Sequence, residues 1–286
     1  MRSGVIIKNK NIMLLGIPRS GTTLGCHLIN KLPNAVALHE PFRPKNFSNN
    51  SPSEVIRKIE GFINIQRFSL LENGTAVSKT IGGKVPDNHL RVSGIGSKKR
   101  VETVEDRVLL LSEMPPKDFF LVIKHCSFFV GILEFLVSSY NCFAIVRNPL
   151  STLLSWNSVE LQVTHGYAPA AESFDNNLKT LLYGQVDSYK RQMLLLTWFY
   201  NKLYKFLPRE NIILYEDIIS SGGSVLGHII PEGKSLSESL YSKNNNPLYD
   251  NELKHFLAEK LLSVDHESYL HFYSKEDILR VLDTKD

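Results

Sequence analysis

The chain has 286 residues, of which 43% are hydrophobic, so it is long enough for one large α/β domain or a domain with a long insertion. Its formal net charge of +4 favours an anionic ligand and does not indicate binding to nucleic acid. Three cysteines, Cys26, Cys126 and Cys142, are too few and too widely spaced for a disulfide framework or a zinc site, so we expect a reducing compartment, the cytoplasm.

A glycine-framed loop follows the first predicted strand. Residues 12–17 form an apolar run typical of a buried parallel strand and too short for a signal peptide or membrane anchor, and a helix is predicted over residues 22–31. Between them, Gly16 and Gly21 permit tight turns and a close approach of the backbone to a ligand. The amides before the helix converge on its positive end, so the loop is predicted to bind an anion.

The spacing of this loop is that of the nucleotide-binding loop G-x-x-x-x-G-K-[ST], but Thr22 stands at the Lys position and a guanidinium enters earlier, at Arg19. In P-loop NTPases that Lys contacts the β- and γ-phosphates, and the next hydroxyl contacts Mg²⁺. Its loss argues against metal-assisted transfer of a γ-phosphoryl group. The remaining amides and hydroxyls, with Arg19, suit a phosphosulfate.

The segment Pro18–Leu24, Pro-Arg-Ser-Gly-Thr-Thr-Leu, resembles the 5′-phosphosulfate loop of sulfotransferases, which use 3′-phosphoadenosine 5′-phosphosulfate (PAPS). The similarity is greatest to the loop of tyrosylprotein sulfotransferases and their relatives. The resemblance implies a catalytic contribution from Arg19 and a donor site formed by Pro18, Arg19, Ser20, Gly21, Thr22 and Thr23. No metal is expected, because no cluster of His or carboxylates has ligand spacing.

Two titratable residues, His39 and Glu40, follow a second strand predicted over residues 35–38. Ligands bind at the carboxyl ends of strands in open α/β sheets, and only one of two successive extended residues can face the ligand. Both are candidate bases for the acceptor's proton. The resemblance favours Glu40, which lies as far beyond Arg19 as the catalytic Glu of tyrosylprotein sulfotransferases lies beyond the loop Arg, whereas His39 stands where that family has another Glu.

A Glu with an unperturbed pKa of about 4.3 is a weak base for an alcohol. Burial must therefore raise the pKa of Glu40, or proton removal must lag behind sulfuryl transfer. The structural alternative is that Glu40 is only a capping or salt-bridge carboxylate beside Pro41.

From Arg43 to about Asp106 the composition shifts toward Asn, Ser, Gly, Lys and Pro, which indicates an irregular insertion. One helix is predicted within it, over residues 53–71, with Ser53 as its cap. The glycines within 82–83 and 94–96 are candidate hinges for a lid over the acceptor, and an irregular excursion without a lid is the alternative. The cationic run Lys98-Lys99-Arg100 is interpreted as a solvated loop.

A strand predicted over residues 119–123 ends at Lys124, and a helix is predicted over residues 127–140. Lys124 matches the Lys of the sulfotransferase Lys-Asp-Pro segment, although His125 and Cys126 replace Asp-Pro. The resemblance implies that Lys124 stabilises the bridging oxygen of the donor, and the alternative is a Lys that snorkels at a strand end. Cytosolic sulfotransferases place Lys-x-His here, so His125 comes one residue too early and is more typical of a packing histidine than of a base.

The next strand, predicted over residues 142–146, leads into a second motif. The segment Phe143–Ser151, Phe-Ala-Ile-Val-Arg-Asn-Pro-Leu-Ser, is followed by Ser155-Trp156 in a predicted helix and resembles the sulfotransferase 3′-phosphate motif. In that motif an Arg and a Ser eight residues later bind the 3′-phosphate, and Arg147 and Ser155 match both positions. Two separated motifs in the family's order strengthen the resemblance.

A long amphipathic helix is predicted over residues 174–206, with Trp198, Phe199 and Tyr200 in the core, before a last strand over residues 212–214. Tyr215, in a Tyr-Glu-Asp segment similar to that of many sulfotransferases, and Lys243 are candidates to approach the adenosine or the 3′-phosphate.

The alternation of strands and helices predicts an α/β fold, a P-loop-type parallel sheet with helices on both faces, and two helices in the tail over residues 247–286. We expect a single domain over residues 1–286, with an acceptor or lid insertion at about 43–106.

Together these features predict a PAPS-dependent sulfotransferase that acts on a hydroxyl or amine of a small molecule, with neither nucleic acid nor a membrane as partner. The chain is similar to sulfotransferases of bacterial natural-product pathways, including those that act on alkaloid toxins. A cationic acceptor would require Glu54, Glu60 or Asp87 to face the pocket. The alternatives are a P-loop small-molecule kinase, for which only Asp217 is loosely placed as a metal ligand, and a non-catalytic protein that binds PAPS or its product, 3′-phosphoadenosine 5′-phosphate (PAP).

Overall fold

A five-stranded parallel sheet lies at the centre of the computed structural model, which describes residues 9–92, 99–104, 106–263 and 267–283. The strands are, in chain order, β1 (Asn11–Gly16), β2 (Ala35–His39), β3 (Thr75–Thr80), β4 (Leu90–Val92), β5 (Arg100–Glu102), β6 (Asp106–Leu110), β7 (Phe120–Lys124), β8 (Asn141–Val146) and β9 (Ile212–Leu214). The central sheet has the order β2-β7-β1-β8-β9, and each neighbouring pair is parallel. The loop after the middle strand β1 therefore lies at the centre of the edge where all five strands end.

Helices surround this sheet, so the predicted α/β class is confirmed. In chain order they are α1 (Thr22–Ile29), α2 (Pro52–Asn73), α3 (Ser127–Gly131), α4 (Leu133–Leu136), α5 (Pro149–Asn157), α6 (Pro169–Glu172), α7 (Asn176–Tyr183), α8 (Ser188–Phe206), α9 (Tyr215–Ser220), α10 (Asn251–Ser263) and α11 (Lys275–Asp283). All six residues of β1 are buried, which explains why that strand is a continuous apolar run. Phe199 and Tyr200 of α8 are fully buried in the same core, as predicted.

The prediction of one continuous helix over residues 127–140 is wrong. The structure has two short helices, α3 and α4, separated at Ile132, whose backbone angles depart from helical values. Gly131 lies where α6 packs closely against α3, and a Cβ added to this glycine would lie 2.9 Å from the Cα of Ala171. Close packing between these short helices accompanies the break, a tertiary effect that hydrophobic periodicity does not reveal.

The single helix predicted over residues 174–206 is also wrong, since two helices, α7 and α8, replace it. Asp187 is the N-cap of α8, and its carboxylate accepts hydrogen bonds from the amides of Tyr189 (2.8 Å) and Lys190 (3.0 Å). Asp and Asn favour this position because they satisfy amides that have no partner within the helix. The segment Gly-Gln-Val-Asp before α8 therefore marks a helix end and a new start.

The insertion contains more regular structure than expected. Its helix extends over Pro52–Asn73, slightly beyond the predicted residues 53–71 at both ends. The N-cap is Ser51, not Ser53, and Ser51 forms a capping box with Glu54. Two antiparallel strand pairs, β3 with β6 and β4 with β5, were not predicted. Strand β3 lies beside β2, where the hydroxyl of Ser78 accepts a hydrogen bond of 2.9 Å from the amide of His39. The insertion is therefore attached to the central sheet next to the predicted site.

Of the candidate hinges, Gly82 and Gly83 form a tight turn with φ values of 55° and 73°, and residues 94–96 lie outside the described residues. The three cysteines are free and buried. Within the described part of the chain, no helix combines the length and the apolar composition needed to cross a bilayer.

Candidate active site

A cavity of about 550 Å³ opens at the edge of the sheet where the parallel strands end. A residue at or just beyond the end of each central strand lines it: Arg19 after β1, Glu40 after β2, Lys124 in β7, Arg147 after β8 and Tyr215 after β9. Most of the residues that the sequence nominates line this cavity, whereas Ser20, His39 and Ser155 do not line it. Topology thus places side chains that are distant in sequence around one volume.

The glycine-framed loop has the tight geometry that its sequence predicts. Gly21 has φ 94°, and a Cβ added there would lie 2.5 Å from Cδ2 of Tyr215. Arg19 itself adopts a positive φ of 71°, which is uncommon for a residue with a side chain and concentrates at ligand sites. The first backbone bond of α1 runs from the amide of Gly25 to the carbonyl of Gly21, so the amides of Gly21, Thr22 and Thr23 precede it and are available to an anion.

Ser20 stabilises the loop and does not line the cavity. Its side chain is fully buried, its hydroxyl donates a 2.6 Å hydrogen bond to the carbonyl of Ile145 in β8, and its amide donates to the carbonyl of Ile17. The indole N–H of Trp156 donates a 2.8 Å bond to the carbonyl of Pro18. These bonds fix the loop against the neighbouring strand and helix α5.

The two loop threonines face the cavity from the start of α1. The hydroxyl of Thr22 lies 3.1 Å from the sulfur of Cys126, and the hydroxyl of Thr23 lies 3.3 Å from Nδ1 of His89. Cys126 follows Lys124 by two residues, so the loop and the end of β7 are in direct contact. Both hydroxyls lie at the cavity wall, where an anion on the loop amides would meet them.

Cations gather at the β8 side of the cavity. Arg147 is buried, donates a 3.2 Å hydrogen bond to the carbonyl of Arg19 and lies over the ring of Tyr215, 4.9 Å from its centroid. The Nε of Arg19 donates a 3.3 Å bond to the hydroxyl of Ser155, which is fully buried behind the cavity. Burial and the nearby charges of Arg100 and Arg147 lower the pKa of Arg19 to about 9.

An ion pair between the buried Lys124 and the partly buried Glu40 occupies the opposite side of the cavity. The Nζ of Lys124 donates a 2.8 Å hydrogen bond to Oε1 of Glu40, and Nζ of Lys79 donates a 2.9 Å bond to Oε2. Burial acts to raise the pKa of Glu40, but the charges of Lys124 and Lys79 outweigh it and hold that pKa well below its usual range. Of the two alternatives left open for Glu40, a pKa raised by burial is therefore wrong, and Glu40 is ionised at neutral pH. Glu40 has a φ of 44°, outside the extended strand.

His39 does not line the cavity, although its ring centroid lies 4.9 Å from that of His89, which does. It is fully buried, and neither ring nitrogen has a hydrogen-bond partner among the described residues. Burial and the charge of Lys124 hold its pKa well below the usual range. His125 lines the cavity beside Phe42, Phe128 and Phe129, with ring centroids 5.2 to 6.5 Å away, and burial lowers its pKa to about 4. Both histidines are neutral at pH 7.

Sequence reasoning missed several polar side chains that line the cavity. They come from the insertion and the tail, and they are Lys79, His89, Arg100, Glu102 and Tyr249. The interpretation of residues 98–100 as a solvated loop is wrong for Arg100, which is only 8% exposed, while Lys98 lies outside the described residues. The only sequence signal for Arg100 was that run of cations. Arg100 is buried because β5 pairs with β4 and forms a bridge to the chain at Val159.

Of the three carboxylates that a cationic acceptor would require at the pocket, only one lines the cavity. Asp87 lines the cavity, as does Glu102, but Glu54 and Glu60 do not line it. Glu54 is engaged in the capping box of α2. The part of the lining that residues 161–170 contribute is mostly apolar and includes Leu161, Val163 and Tyr167.

Comparisons with known proteins gave matches among solved structures only. No family model matches the chain, and no curated protein matches it. The sulfotransferase domain of an olefin synthase from Synechococcus PCC 7002 aligns with 95% of this chain and 92% of its own, at 15% identity and a TM-score of 0.38. A sulfotransferase from Mycobacterium tuberculosis H37Rv aligns with 99% of this chain and 78% of its own, at 12% identity and a TM-score of 0.36.

Proposed function

We propose that the chain is a sulfotransferase that moves a sulfuryl group from PAPS to a hydroxyl or amine of a small-molecule acceptor, in the cytoplasm. The observation that carries the proposal is that the ion pair of Glu40 and Lys124 lines the same cavity as the anion-binding loop that contains Arg19. Such an arrangement supplies cations for the donor and a carboxylate for the acceptor's proton in one volume. The loop's amides and the arginines at the β8 side suit a ligand with two separated anionic groups, as PAPS has.

In the proposed reaction, a bond forms between the acceptor oxygen or nitrogen and sulfur while the bond from sulfur to the bridging oxygen of the donor breaks, releasing PAP. Glu40 receives the acceptor's proton. Because the pKa of Glu40 is low, it takes this proton only after bond formation to sulfur has made the acceptor acidic.

Lys124 has three N–H donors, so it can keep its bond to Glu40 and also donate to the departing oxygen. The carboxylate places that ammonium at the reacting centre, and the loop with Arg19 holds the phosphosulfate. His39 is poorly placed as a base, because it does not line the cavity and is buried.

The kinase alternative has less support. Thr22 replaces the Lys of the nucleotide-binding loop, and Asp217, the carboxylate nominated for a metal, is exposed and outside the cavity lining. Among the described residues there is no group of three or more His, Cys, Asp and Glu that could hold a metal ion. A non-catalytic PAPS-binding protein would have no need of an ion pair between Glu40 and the buried Lys124 at the site.

The test is mass-spectrometric detection of PAPS-dependent sulfation across alkaloid, phenolic, sugar and tyrosyl-peptide acceptors. Glu40→Gln should abolish product formation while retaining PAP binding in calorimetry, and Glu60→Gln, an exposed carboxylate outside the cavity lining, is the matched control. Tight PAP binding without product from any acceptor would support the non-catalytic alternative. Preference for ATP with Mg²⁺ over PAP would contradict the proposal.

A further inference from the structure

Three guanidinium groups, those of Arg19, Arg100 and Arg147, converge on the β8 side of the cavity. All three line it, and the positive charges of Arg100 and Arg147 act on Arg19. Among the described residues, no carboxylate lies within 4.0 Å of any of the three, since none takes part in an ion pair. Packing three like charges together is unfavourable unless an anion joins them.

Arg100 enters this cluster from the insertion. Its backbone amide donates a 3.0 Å bond to the carbonyl of Ser158, and its carbonyl accepts a 2.9 Å bond from the amide of Glu160, so its position does not depend on its side chain. One end of the guanidinium donates a 2.5 Å bond to the hydroxyl of Ser158. The Nε is buried and has no hydrogen-bond partner among the described residues, so one donor of this arginine is unused.

An oxygen already lies among these cations. The hydroxyl of Tyr249 lies 3.4 Å from Nη2 of Arg147 and donates a 3.3 Å hydrogen bond to the carbonyl of Lys243. Burial acts to raise the pKa of Tyr249, but Arg147, the hydroxyl of Ser155 and Arg100 outweigh it and lower that pKa. The surroundings thus favour negative charge at this point, where a phosphate oxygen would be stabilised more strongly than a neutral phenol.

We propose that Arg100 is a specificity-determining residue that, with Arg147, binds a phosphate monoester of the donor at this second anion site. The inference rests on the proposed function, which identifies that monoester as the 3′-phosphate of PAPS or PAP. A planar guanidinium group can donate two parallel hydrogen bonds to two oxygens of one phosphate. Arg100 can therefore bind the phosphate in this way, and the phosphate displaces the hydroxyl of Tyr249.

This role also connects the insertion to donor binding. Arg100 lies in β5, which pairs with β4, and His89 immediately before β4 contacts Thr23 of the loop. Strands β4 and β5 therefore reach both anion sites of the cavity. A ligand with one anion at each site would hold the insertion against the sheet.

The experiment compares binding of PAP and adenosine 5′-phosphate, which lacks the 3′-phosphate, by calorimetry. Arg100→Gln should weaken PAP binding by roughly 10- to 100-fold, as expected for a lost charge-assisted hydrogen bond, and change adenosine 5′-phosphate binding by less than about twofold. The matched control is Arg91→Gln, which removes an exposed charge from the neighbouring strand β4 and should change neither affinity. Thermal unfolding of each variant with and without PAP separates binding from folding.

An equal loss for both nucleotides, or no loss for PAP, would overturn the role of Arg100. If Arg100→Gln unfolds the chain, Arg100→Lys keeps the charge without the planar fork and should still lose at least about fivefold in PAP affinity. If the wild type binds neither nucleotide, titration with inorganic phosphate tests the anion site alone, and dependence on Arg100 would preserve the site while the proposed donor fails. Sulfation by the wild type with unchanged PAP binding by Arg100→Gln would leave the proposed function intact and refute this inference.

Discussion

Lys124 and Glu40 are joined twice, by the 2.8 Å hydrogen bond between their side chains and by a 2.8 Å bond from the amide of Glu40 to the carbonyl of Lys124. The backbone bond extends the pairing of β2 with β7 by one residue, so the register of the sheet sets the position of the carboxylate. The side chain of Lys124 is only 1% exposed. A buried charge of this kind depends strongly on its partner.

Glu40→Gln should therefore destabilise the chain by about 3 kcal/mol, since it leaves the buried ammonium without its counter-ion. Lys124→Met in the same chain should recover most of that loss, because the double variant buries no unpaired charge. Urea unfolding of the two single variants and the double variant measures the coupling. Additive losses in the double variant would contradict a coupled buried pair.

Lys79 is the second cation on Glu40, and it also donates a 2.6 Å hydrogen bond to Glu102. Because the pKa of Glu40 is depressed, its carboxylate is ionised throughout the neutral range, and kcat/KM of the wild type should show no acidic limb from Glu40 above about pH 5. Lys79→Met removes one stabilising charge and leaves the carboxylates of Glu40 and Glu102 as neighbours. The acidic limb should then move to higher pH.

Four titratable groups influence the pKa of Glu40, namely Lys124, Lys79, His39 and His125. Both histidines are neutral at pH 7 and Lys124 takes part in the proposed reaction, so Lys79 is the charge that can be removed. Lys84→Met, an exposed Lys beyond the turn of Gly82 and Gly83, is the control and should leave the profile unchanged. Superimposable profiles for the wild type and Lys79→Met would show that Lys79 does not tune the carboxylate.

Three of the residues that the sequence identified share one property: each stands at or directly after the end of a buried strand. Glu40, Lys124 and Arg147 come directly after or at the end of apolar runs, and parallel strands bring such positions to one edge whatever the rest of the chain does. The short apolar runs also predicted the five strands of the sheet. Local sequence was therefore sufficient to predict those site residues whose positions depend only on a strand end and on the parallel order of the sheet.

The rest of the site depends on contacts over long sequence distances. Lys79 reaches Glu40 only because β3 lies beside β2, and Arg100 is buried only because β5 pairs with β4 and meets the chain near Val159. These strands are short and polar, so their alternation is weak. Tyr249 belongs to the tail, and no motif marks it. The helix breaks at Ile132 and before Asp187 likewise depend on packing and capping that periodicity does not record.

Gly21 should not tolerate a side chain. Its φ of 94° is strained for alanine, and the added Cβ would lie 2.5 Å from the ring of Tyr215. Gly21→Ala should weaken PAP binding by at least about tenfold and lower the free energy of unfolding by about 2 kcal/mol. Gly61→Ala is the matched control: it lies inside α2 with open space around it, so the same change should raise stability by about 0.5–1 kcal/mol. Equal effects at the two positions would contradict a special conformation of the loop.

The buried histidines should make stability depend on pH. Burial lowers the pKa of His125 to about 4 and that of His89 to about 3, below the value of about 6.5 in an unfolded chain. The unfolded chain therefore binds protons more readily, so stability is complete above about pH 6.5 and falls as the pH drops toward 4. His125→Phe should remove the contribution of His125, so that the variant loses about 2 kcal/mol less than the wild type between pH 7.5 and pH 5. Phe128→Leu, in the same aromatic cluster, changes packing without a titratable group and should shift stability equally at both pH values. A pH dependence in His125→Phe that matches the wild type would show that folding does not change the pKa of His125.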